Sequence, residues 1–158
     1  MTNKLVILFA VVLVFALCFT QVRQPRMKHS AKIRERLKIL NYMKNALCDS
    51  LEQSEYVMND NVQRLLKKRD VTVVAVAGTK SVAYSVNKGE LIGMCISGNN
   101  MNTMFYVLLH ELAHIMTVSQ HHTEEFWGNF NFLVRFASLQ GLYVEHNSTS
   151  SYCGHQIK

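Results

Sequence analysis

The sequence predicts an α+β domain that follows a single transmembrane helix. Three observations support this prediction: an apolar run near the N-terminus, helical periodicity on both sides of a central stretch, and many β-branched residues within that stretch. The 158 residues suffice for one domain with a hydrophobic core and are too few for two ordinary domains. We therefore expect a single functional site.

The apolar run covers residues 5–22, and these 18 residues are just long enough for a membrane-spanning helix. A cleavable signal peptide is the alternative, but the end of the apolar run lacks the Ala-x-Ala pattern that is typical of a cleavage site. We expect residues 1–22 to be an uncleaved anchor and residues 23–30 to be a basic linker beside the membrane. Basic residues are concentrated after the anchor, so the positive-inside rule predicts a single-pass membrane protein whose main domain faces the cytoplasm.

Positive charge is concentrated in one part of the chain. The formal net charge is +6, and seven of the Lys and Arg residues lie between Arg23 and Lys38. Such a cluster can attract nucleic acid or an anionic lipid surface. A position beside a membrane already accounts for the charge, so nucleic acid is the less favoured partner. The sequence gives no indication of the oligomeric state.

Two helices are predicted at the start of the domain, which we place at residues 31–147. Apolar residues after Ser30 recur at intervals of three, four or seven positions, which predicts a helix. Ser30 is expected to cap its N-terminus. A second, shorter helix follows Asn59 or Asp60 and carries basic residues near its C-terminal end. Both helices are expected to pack one apolar face on the core.

Three strands are predicted in the middle of the chain. Residues 71–77, 81–86 and 91–97 are rich in β-branched residues, and two turn sequences separate them, Gly78-Thr79-Lys80 and Asn87-Lys88-Gly89-Glu90. The short connections predict a small, mainly antiparallel sheet in which the three strands form a meander.

Two further helices follow the strands. One starts at Asn102 or Thr103 and ends near Val118, and the other starts at Thr123 and ends at Gly141. Residues 148–158 are expected to form a flexible tail. No Cys-x-x-Cys spacing occurs, so we expect neither a disulfide framework nor a zinc knuckle from the four scattered cysteines, Cys18, Cys48, Cys95 and Cys153.

The helix before Val118 carries the sequence His110-Glu111-Leu112-Ala113-His114. Two histidines four positions apart lie on one face of a helix, about one turn apart, which suits the binding of one tetrahedral metal ion. Glu111 lies at the edge of that face, where it can accept a proton from a water whose pKa is lowered by zinc. Apolar residues fill the opposite stripe, so the helix is predicted to be part of the core. A helix whose histidines merely face water is the alternative interpretation.

A catalytic zinc ion usually has three protein ligands, so a third donor is required. His121 and His122 both follow the helix in a short connecting stretch, and their spacing does not choose between them. Glu124 and Glu125 could supply oxygen ligands, although their simpler role is to stabilise the N-terminus of the next helix.

Other candidate residues lie near the C-terminus. Tyr143 and His146 could stabilise an oxyanion, although a tyrosine at such a position is more often a packed aromatic. Cys153 and His155 could bind a metal ion as a pair, but two donors in a flexible tail do not make a site.

The stretch from Leu91 to Tyr143, about a third of the chain, resembles the WLM and SprT-like zincins. This group of metallopeptidases includes proteases that act on DNA–protein crosslinks. The resemblance rests on the His-Glu-Leu-x-His helix and on a third histidine that is followed four residues later by an aromatic, here His122 and Phe126. Further matching residues are Trp127, Leu133, Ala137 and Gly141-Leu142-Tyr143.

The resemblance implies a zincin-like fold, in which the active-site helix is followed by a C-terminal helix. It implies that His110, His114 and His122 bind the metal ion and that Glu111 is the general base. It also implies that the preceding strand, Leu91 to Ser97, holds the substrate backbone as an added β-strand.

The sequence therefore predicts a membrane-anchored zinc endopeptidase with Zn²⁺ as cofactor and a protein or peptide as substrate. Two alternatives are a zinc-containing module that binds extended peptides without cleaving them, and a lipid- or nucleic-acid-binding module that uses residues 23–38. The intact Glu111 favours the enzyme, because a purely structural zinc site has no use for a base beside its ligands.

Overall fold

The computed structural model describes residues 30–76, 82–96, 100–145 and 150–157. The chain divides into two compact units, Met1–Glu35 and Arg36–Lys158. Of the first unit only residues 30–35 are described, and they are helical. The sheet and the candidate site discussed below belong to the second unit.

The described part of the chain contains four α-helices and a single 3-10 turn. Helix α1 covers residues 30–52. The other helical elements, in chain order, are the 3-10 turn Glu55–Met58, α2 at Asp60–Leu66, α3 at Met101–Met116 and α4 at Glu124–Leu139. Each α-helix lies where apolar residues recur at helical spacing, which confirms the four helices that the sequence predicted.

Polar side chains mark the starts of three helices. Asn59, Asn100 and Thr123 each accept hydrogen bonds from backbone amides in the first turn of the helix that follows. The predicted caps of α2 and α4 are thereby confirmed. Helix α3 begins slightly earlier than predicted, because Asn100 accepts the amides of Asn102 and Thr103, the two residues that were expected to start it.

The three central strands form a mixed sheet. They are β1 at Thr72–Val76, β2 at Ala83–Val86 and β3 at Leu91–Cys95, arranged in the order β1-β3-β2. Strand β1 pairs parallel with β3, and β2 pairs antiparallel with it. The predicted meander with mainly antiparallel pairing is therefore wrong. Residues 92–95 of β3 are all buried, which suits the centre of a sheet, and periodicity cannot reveal which strands are neighbours.

A short hairpin follows near the C-terminus. Strands β4, Ser150–Tyr152, and β5, His155–Ile157, pair antiparallel. A disulfide joins Cys153 in the hairpin to Cys95 at the end of β3, and the Tyr152 hydroxyl donates to the Cys95 carbonyl. The expectation of a loose tail without disulfides is therefore wrong here. The two cysteines are 58 residues apart, so no local spacing could have indicated the bond.

Helix α3 is the central helix of the second unit. It contacts α2, α4 and β2, and its buried side chains include Phe105, Leu108 and Leu112, none of which is exposed to solvent. Side chains packed on several sides resist rotation of the helix about its axis. The histidines on α3 are consequently held at fixed positions relative to β2 and α4.

The structure corrects the predicted membrane segment. Within the described ranges no helix is both long and apolar enough to cross a bilayer. Helices α3 and α4 have 16 residues each, fewer than the roughly 20 that a span requires, and α1 carries charged residues along its length. The transmembrane helix before the domain, and the single-pass protein facing the cytoplasm, are therefore not supported. Residues 1–22, the predicted anchor, and residues 23–29 of the predicted linker lie outside the described residues.

Candidate metal centre

Three histidines form a cluster that could hold a metal ion. His110 and His114 lie on α3, and His122 lies on the connecting stretch between α3 and α4. Their ligand atoms all lie within 4.8 Å of one another, and the Nε2 atoms of His110 and His122 are 3.0 Å apart. Imidazole nitrogens at about 2.0–2.1 Å from zinc are roughly 3.4 Å apart in a tetrahedral site. Small side-chain rotations therefore suffice for all three residues to bind one ion.

Helical geometry brings the first two histidines together. His110 and His114 are four residues apart on α3, and their ring centroids are 5.0 Å apart. The neighbouring residues Leu109, Leu112 and Ala113 are fully buried, which turns the histidine face of the helix away from the core. Both rings consequently reach the surface of a cleft while their backbone stays fixed.

The connecting stretch brings His122 into the cluster and leaves His121 out of it. Thr123 accepts the Phe126 amide as the cap of α4, and its own amide donates to the His121 carbonyl at 2.8 Å. The chain thus turns back over α3 immediately before α4 begins. His121 is exposed and does not belong to the cluster. The spacing of the sequence left His121 and His122 as alternatives, and this turn brings His122 into the cluster.

Phe126 lies against all three imidazoles. Its ring centroid is 4.8 Å from that of His110, 4.4 Å from that of His114 and 4.5 Å from that of His122. The Phe126 side chain is fully buried, so it forms a rigid apolar surface beneath the cluster. Trp127, which is partly exposed, packs against His122, and the two ring centroids are 5.6 Å apart. These contacts restrict the rotation of the rings and keep their nitrogens directed toward a common point.

The electrostatic surroundings keep the helix histidines neutral. Burial lowers the pKa of His110 to about 4, with further contributions from the rings of His114 and His122. Burial likewise lowers the pKa of His114 to about 4, helped by His122 and by the positive charge of Lys88. A metal ion binds only the neutral imidazole, so both rings are in the binding form at neutral pH.

Glu111 lies beside the cluster in a buried position. It follows His110 directly on α3, and the residue is only 6% exposed. Burial raises the pKa of this carboxyl group to about 7. A carboxyl group with such a pKa can both accept and release a proton near neutral pH, which is the requirement for general acid–base catalysis.

The connecting stretch is held by a lysine from the turn between β2 and β3. The Nζ atom of Lys88 donates to the carbonyls of Thr117, Val118 and Ser119 at 2.8, 2.5 and 2.8 Å. These carbonyls follow the last turn of α3, where a cation is favourable because of the helix dipole. The turn also approaches α3 closely, since a Cβ atom on Gly89 would lie 3.1 Å from the Ile115 side chain.

A glutamate holds the same stretch from the side of α4. The Glu125 carboxylate accepts the backbone amides of Val118 at 3.1 Å and Ser119 at 3.4 Å, and it lies 3.4 Å from Arg64 of α2. The hydrogen bond from Val118 makes the largest contribution to the lowered pKa of Glu125. Glu125 therefore positions the stretch and is not a metal ligand. Glu124 is exposed and lies outside the cluster.

A cleft with two lobes opens beside the histidines, and His110 and Glu111 line both lobes. The first lobe has a volume of about 420 Å³ and mainly apolar walls, and the second has about 490 Å³ and walls of mixed polar and apolar character. Strand β2 runs along both lobes. In the described sheet β2 pairs on one side only, whereas β3 pairs on both. The expected substrate strand, Leu91–Ser97, is therefore the wrong one, because a central strand has no edge available for pairing.

The other candidate residues are not brought to the cluster. Tyr143 is buried and stacks on Tyr106 at 5.8 Å between ring centroids. His146 lies outside the described residues. Cys153 cannot bind a metal ion together with His155, because its sulfur is in the disulfide.

Two residues at the site have no counterpart among the residues predicted from the sequence. They are Lys88, in the predicted turn, and Gln156, which lines the apolar lobe from the predicted tail. Neither carries a local signal, because each reaches the site from a distant part of the chain. The packing of Phe126 on the histidines was indicated in the sequence by its position four residues after His122.

Comparison with known proteins does not assign the chain to a family. No family model and no solved structure matches it. The chain is similar to the uncharacterized protein R325 of Acanthamoeba polyphaga mimivirus, with 29% identity over 132 residues that cover 77% of this chain. The chain spans 66% of the length of that protein. This similarity names no activity, so the resemblance to WLM and SprT-like zincins stays a hypothesis.

Proposed function

We propose that the protein is a zinc-dependent metallopeptidase that hydrolyses peptide bonds in proteins or peptides. The observation that carries the proposal is the position of Glu111, a buried carboxyl group with a raised pKa, beside a cluster of three histidines at the junction of two cleft lobes. The proposal is supported because a carboxyl group that could act as a base, histidines that could bind a metal ion and a cleft that could hold an extended substrate adjoin one another.

The donor set favours zinc. Imidazole nitrogens suit zinc, and three protein ligands with an open position are typical of catalytic zinc sites, whereas structural sites are usually closed by four. His110, His114 and His122 would hold the ion. When bound, zinc would act as a Lewis acid toward the substrate carbonyl and lower the pKa of a water molecule.

The residues of the chain would carry the remaining steps. Glu111 would accept the proton of the attacking water and deliver it to the nitrogen of the departing amine. Strand β2 would orient the substrate, because its edge away from β3 pairs with no other strand of the described residues and can form backbone hydrogen bonds with an extended peptide. Phe126 would keep the three imidazoles in place during the reaction.

The test is a Glu111→Gln variant compared with wild type after both are loaded with Zn²⁺. We expect the variant to retain one zinc ion per chain and to lose cleavage of an unfolded protein by about a hundredfold or more, because the general base is removed. Zinc is measured by elemental analysis and cleavage by the appearance of new amino termini.

The matched control is Glu124→Gln, which changes an exposed glutamate outside the cluster and should leave both quantities unchanged. Cleavage at the wild-type rate by the Glu111 variant would contradict the proposal. Full zinc occupancy without cleavage of any unfolded protein by wild type would favour a zinc-containing module that only binds peptides.

A further inference from the structure

We propose that the apolar lobe of the cleft binds a bulky apolar side chain of the substrate, and that the hairpin β4–β5 closes this lobe. The inference deepens the proposed peptidase function and rests on it for the identity of the ligand as a peptide. The substrate residue that would enter the lobe is the one directly after the scissile bond.

The walls of the lobe are suited to an aromatic or large aliphatic group. Tyr106 and Val107 contribute from α3, Trp127 and Phe130 from α4, and Val82 and Ala83 from the start of β2. The rings of Tyr106 and Phe130 are in edge contact, with centroids 5.1 Å apart. A volume of about 420 Å³ lies within the range of ligand-binding pockets, and burial of apolar surface in such walls is favourable.

The second lobe, called the polar lobe below, is more polar than the first. Ser85, Asn87, Lys88 and Gln120 contribute polar groups to its walls. The two lobes flank the same His110 and Glu111, so the two sides of a bound peptide would meet different surroundings. The difference predicts selectivity for an apolar side chain on one side of the scissile bond only.

The direction of β2 determines which side this is. The chain passes from Val82, which lines only the apolar lobe, through Ala83, which lines both lobes, to Ser85, which lines only the polar lobe. A substrate that pairs antiparallel with β2 runs the opposite way, so its N-terminal part lies over the polar lobe. The residue on the C-terminal side of the scissile bond then enters the apolar lobe.

The hairpin supplies the remaining wall. Gln156 of β5 lines the apolar lobe together with the residues from the helices. The hairpin is attached to the end of β3 by the disulfide between Cys95 and Cys153. Tyr152 anchors it further, because its side chain is buried and its hydroxyl donates to the Cys95 carbonyl. The shape of the lobe therefore depends on the disulfide.

The lobe contains its own reporter, because Trp127 is the only tryptophan of the chain. The probes are Phe-Ala-amide and Ala-Ala-amide, which mimic the C-terminal product with and without a bulky side chain. Titrated into the zinc-loaded full chain, the first should saturate the change in Trp127 fluorescence at a concentration about tenfold lower than the second. Equal affinities would overturn the proposal.

The contribution of the hairpin is tested with Cys153→Ala, for which Cys48→Ala is the matched control because Cys48 is buried and free. The first variant should lose the tenfold preference and the second should keep it. Gln156→Phe offers a second variant at an exposed position, and it should weaken Phe-Ala-amide binding by filling the lobe. An unchanged preference in both Cys153→Ala and Gln156→Phe would overturn closure by the hairpin.

Mapping the cleavage sites in an unfolded protein by mass spectrometry separates the two proposals. We expect Phe, Leu, Met and other bulky apolar residues to be enriched directly after the cut. Cleavage without such enrichment would reject the lobe and leave the peptidase proposal standing. Absence of cleavage, with the probe preference intact, would reject the peptidase and leave the lobe as a binding site. Enrichment before the cut would overturn the antiparallel orientation.

Discussion

Two of the three clustered histidines lie on a packed helix, and the third lies on a connecting stretch. His110 and His114 are fixed because α3 is buried among α2, α4 and β2. The stretch that leads to His122 is held by polar contacts, in which Lys88 binds the carbonyls of residues 117–119 and Glu125 binds the amides of Val118 and Ser119. The comparison teaches that one histidine cluster can combine two side chains placed by the apolar packing of their helix with a third on a stretch held by charge.

The same contrast applies to the two glutamates at these places. Glu111 on the packed helix is almost completely buried, and burial raises its pKa to about 7. Glu125 is more accessible and accepts backbone hydrogen bonds, and its pKa is lowered. The packed helix therefore provides a group that can exchange a proton near neutral pH, whereas the stretch provides an anion that holds structure.

The largest expected effect is a loss of Zn²⁺ affinity when His122 on the connecting stretch is replaced. Replacing His122 by Ala removes one of three ligands, so we expect the affinity for Zn²⁺ to fall by about a hundredfold or more. Competition with a chromophoric chelator measures the affinity. The control is His121→Ala, an exposed neighbour outside the cluster, which should bind Zn²⁺ as wild type does. A loss of affinity in the His121 variant instead would show that the stretch has been assigned the wrong ligand.

The next effect concerns the pH dependence of stability in the metal-free protein. The pKa of Glu111 is about 7 in the folded chain and 4.5 for an unperturbed glutamate. Between these values the folded state holds a proton that the unfolded state has released, so the free energy of unfolding falls as pH rises. Glu111→Gln removes this decrease. The variant should gain about 3 kcal/mol relative to wild type between pH 4.5 and 7.

His110 and His114 act in the opposite direction, because their pKa values are lowered to about 4 from 6.5. They make the free energy of unfolding rise with pH between these values, in wild type and variant alike. Their contribution consequently cancels in the difference between the two proteins. Denaturant unfolding at several pH values provides that difference. A difference independent of pH would mean that the Glu111 carboxyl group is solvated in the metal-free protein.

The helices were predictable because their signals are local. The caps Asn59 and Thr123 lie next to the turns that they stabilise, and His110 and His114 are brought together by the helix that contains them. A pattern within one segment suffices for such features. The three-histidine cluster was therefore predictable except for the choice between His121 and His122, which depends on the turn before α4.

The sheet order, the disulfide and the lysine contact were not predictable, because each joins distant segments. Lys88 binds carbonyls 29 to 31 residues further along the chain, and Cys95 bonds to a residue 58 positions away. Periodicity reports which residues are buried and contains no information about which segments are neighbours. The edge strand was misidentified for this reason, since β3 is adjacent to α3 in sequence and β2 is adjacent to the cleft in space.

The smallest expected effect concerns Lys88, and it tests whether the charge of this residue holds the connecting stretch. Lys88→Met keeps a long side chain and removes the three hydrogen bonds to residues 117–119. We expect the affinity for Zn²⁺ to fall by about tenfold, because contacts that orient a metal ligand typically contribute that much. Removal of a positive charge near His114 acts in the opposite direction, but this interaction is weakened by solvent in the open cleft.

Competition with the same chelator measures this affinity, and Lys67→Met is the matched control, because Lys67 is an exposed lysine at the C-terminal end of α2 and does not belong to the cluster. Lys88→Arg should recover part of the loss, since a guanidinium group can still donate to several carbonyls. A Lys88→Met variant that binds Zn²⁺ more tightly than wild type would mean that charge repulsion outweighs positioning. His122 would then be held in place by its packing on Phe126 and Trp127, as His110 and His114 are held by the packing of α3.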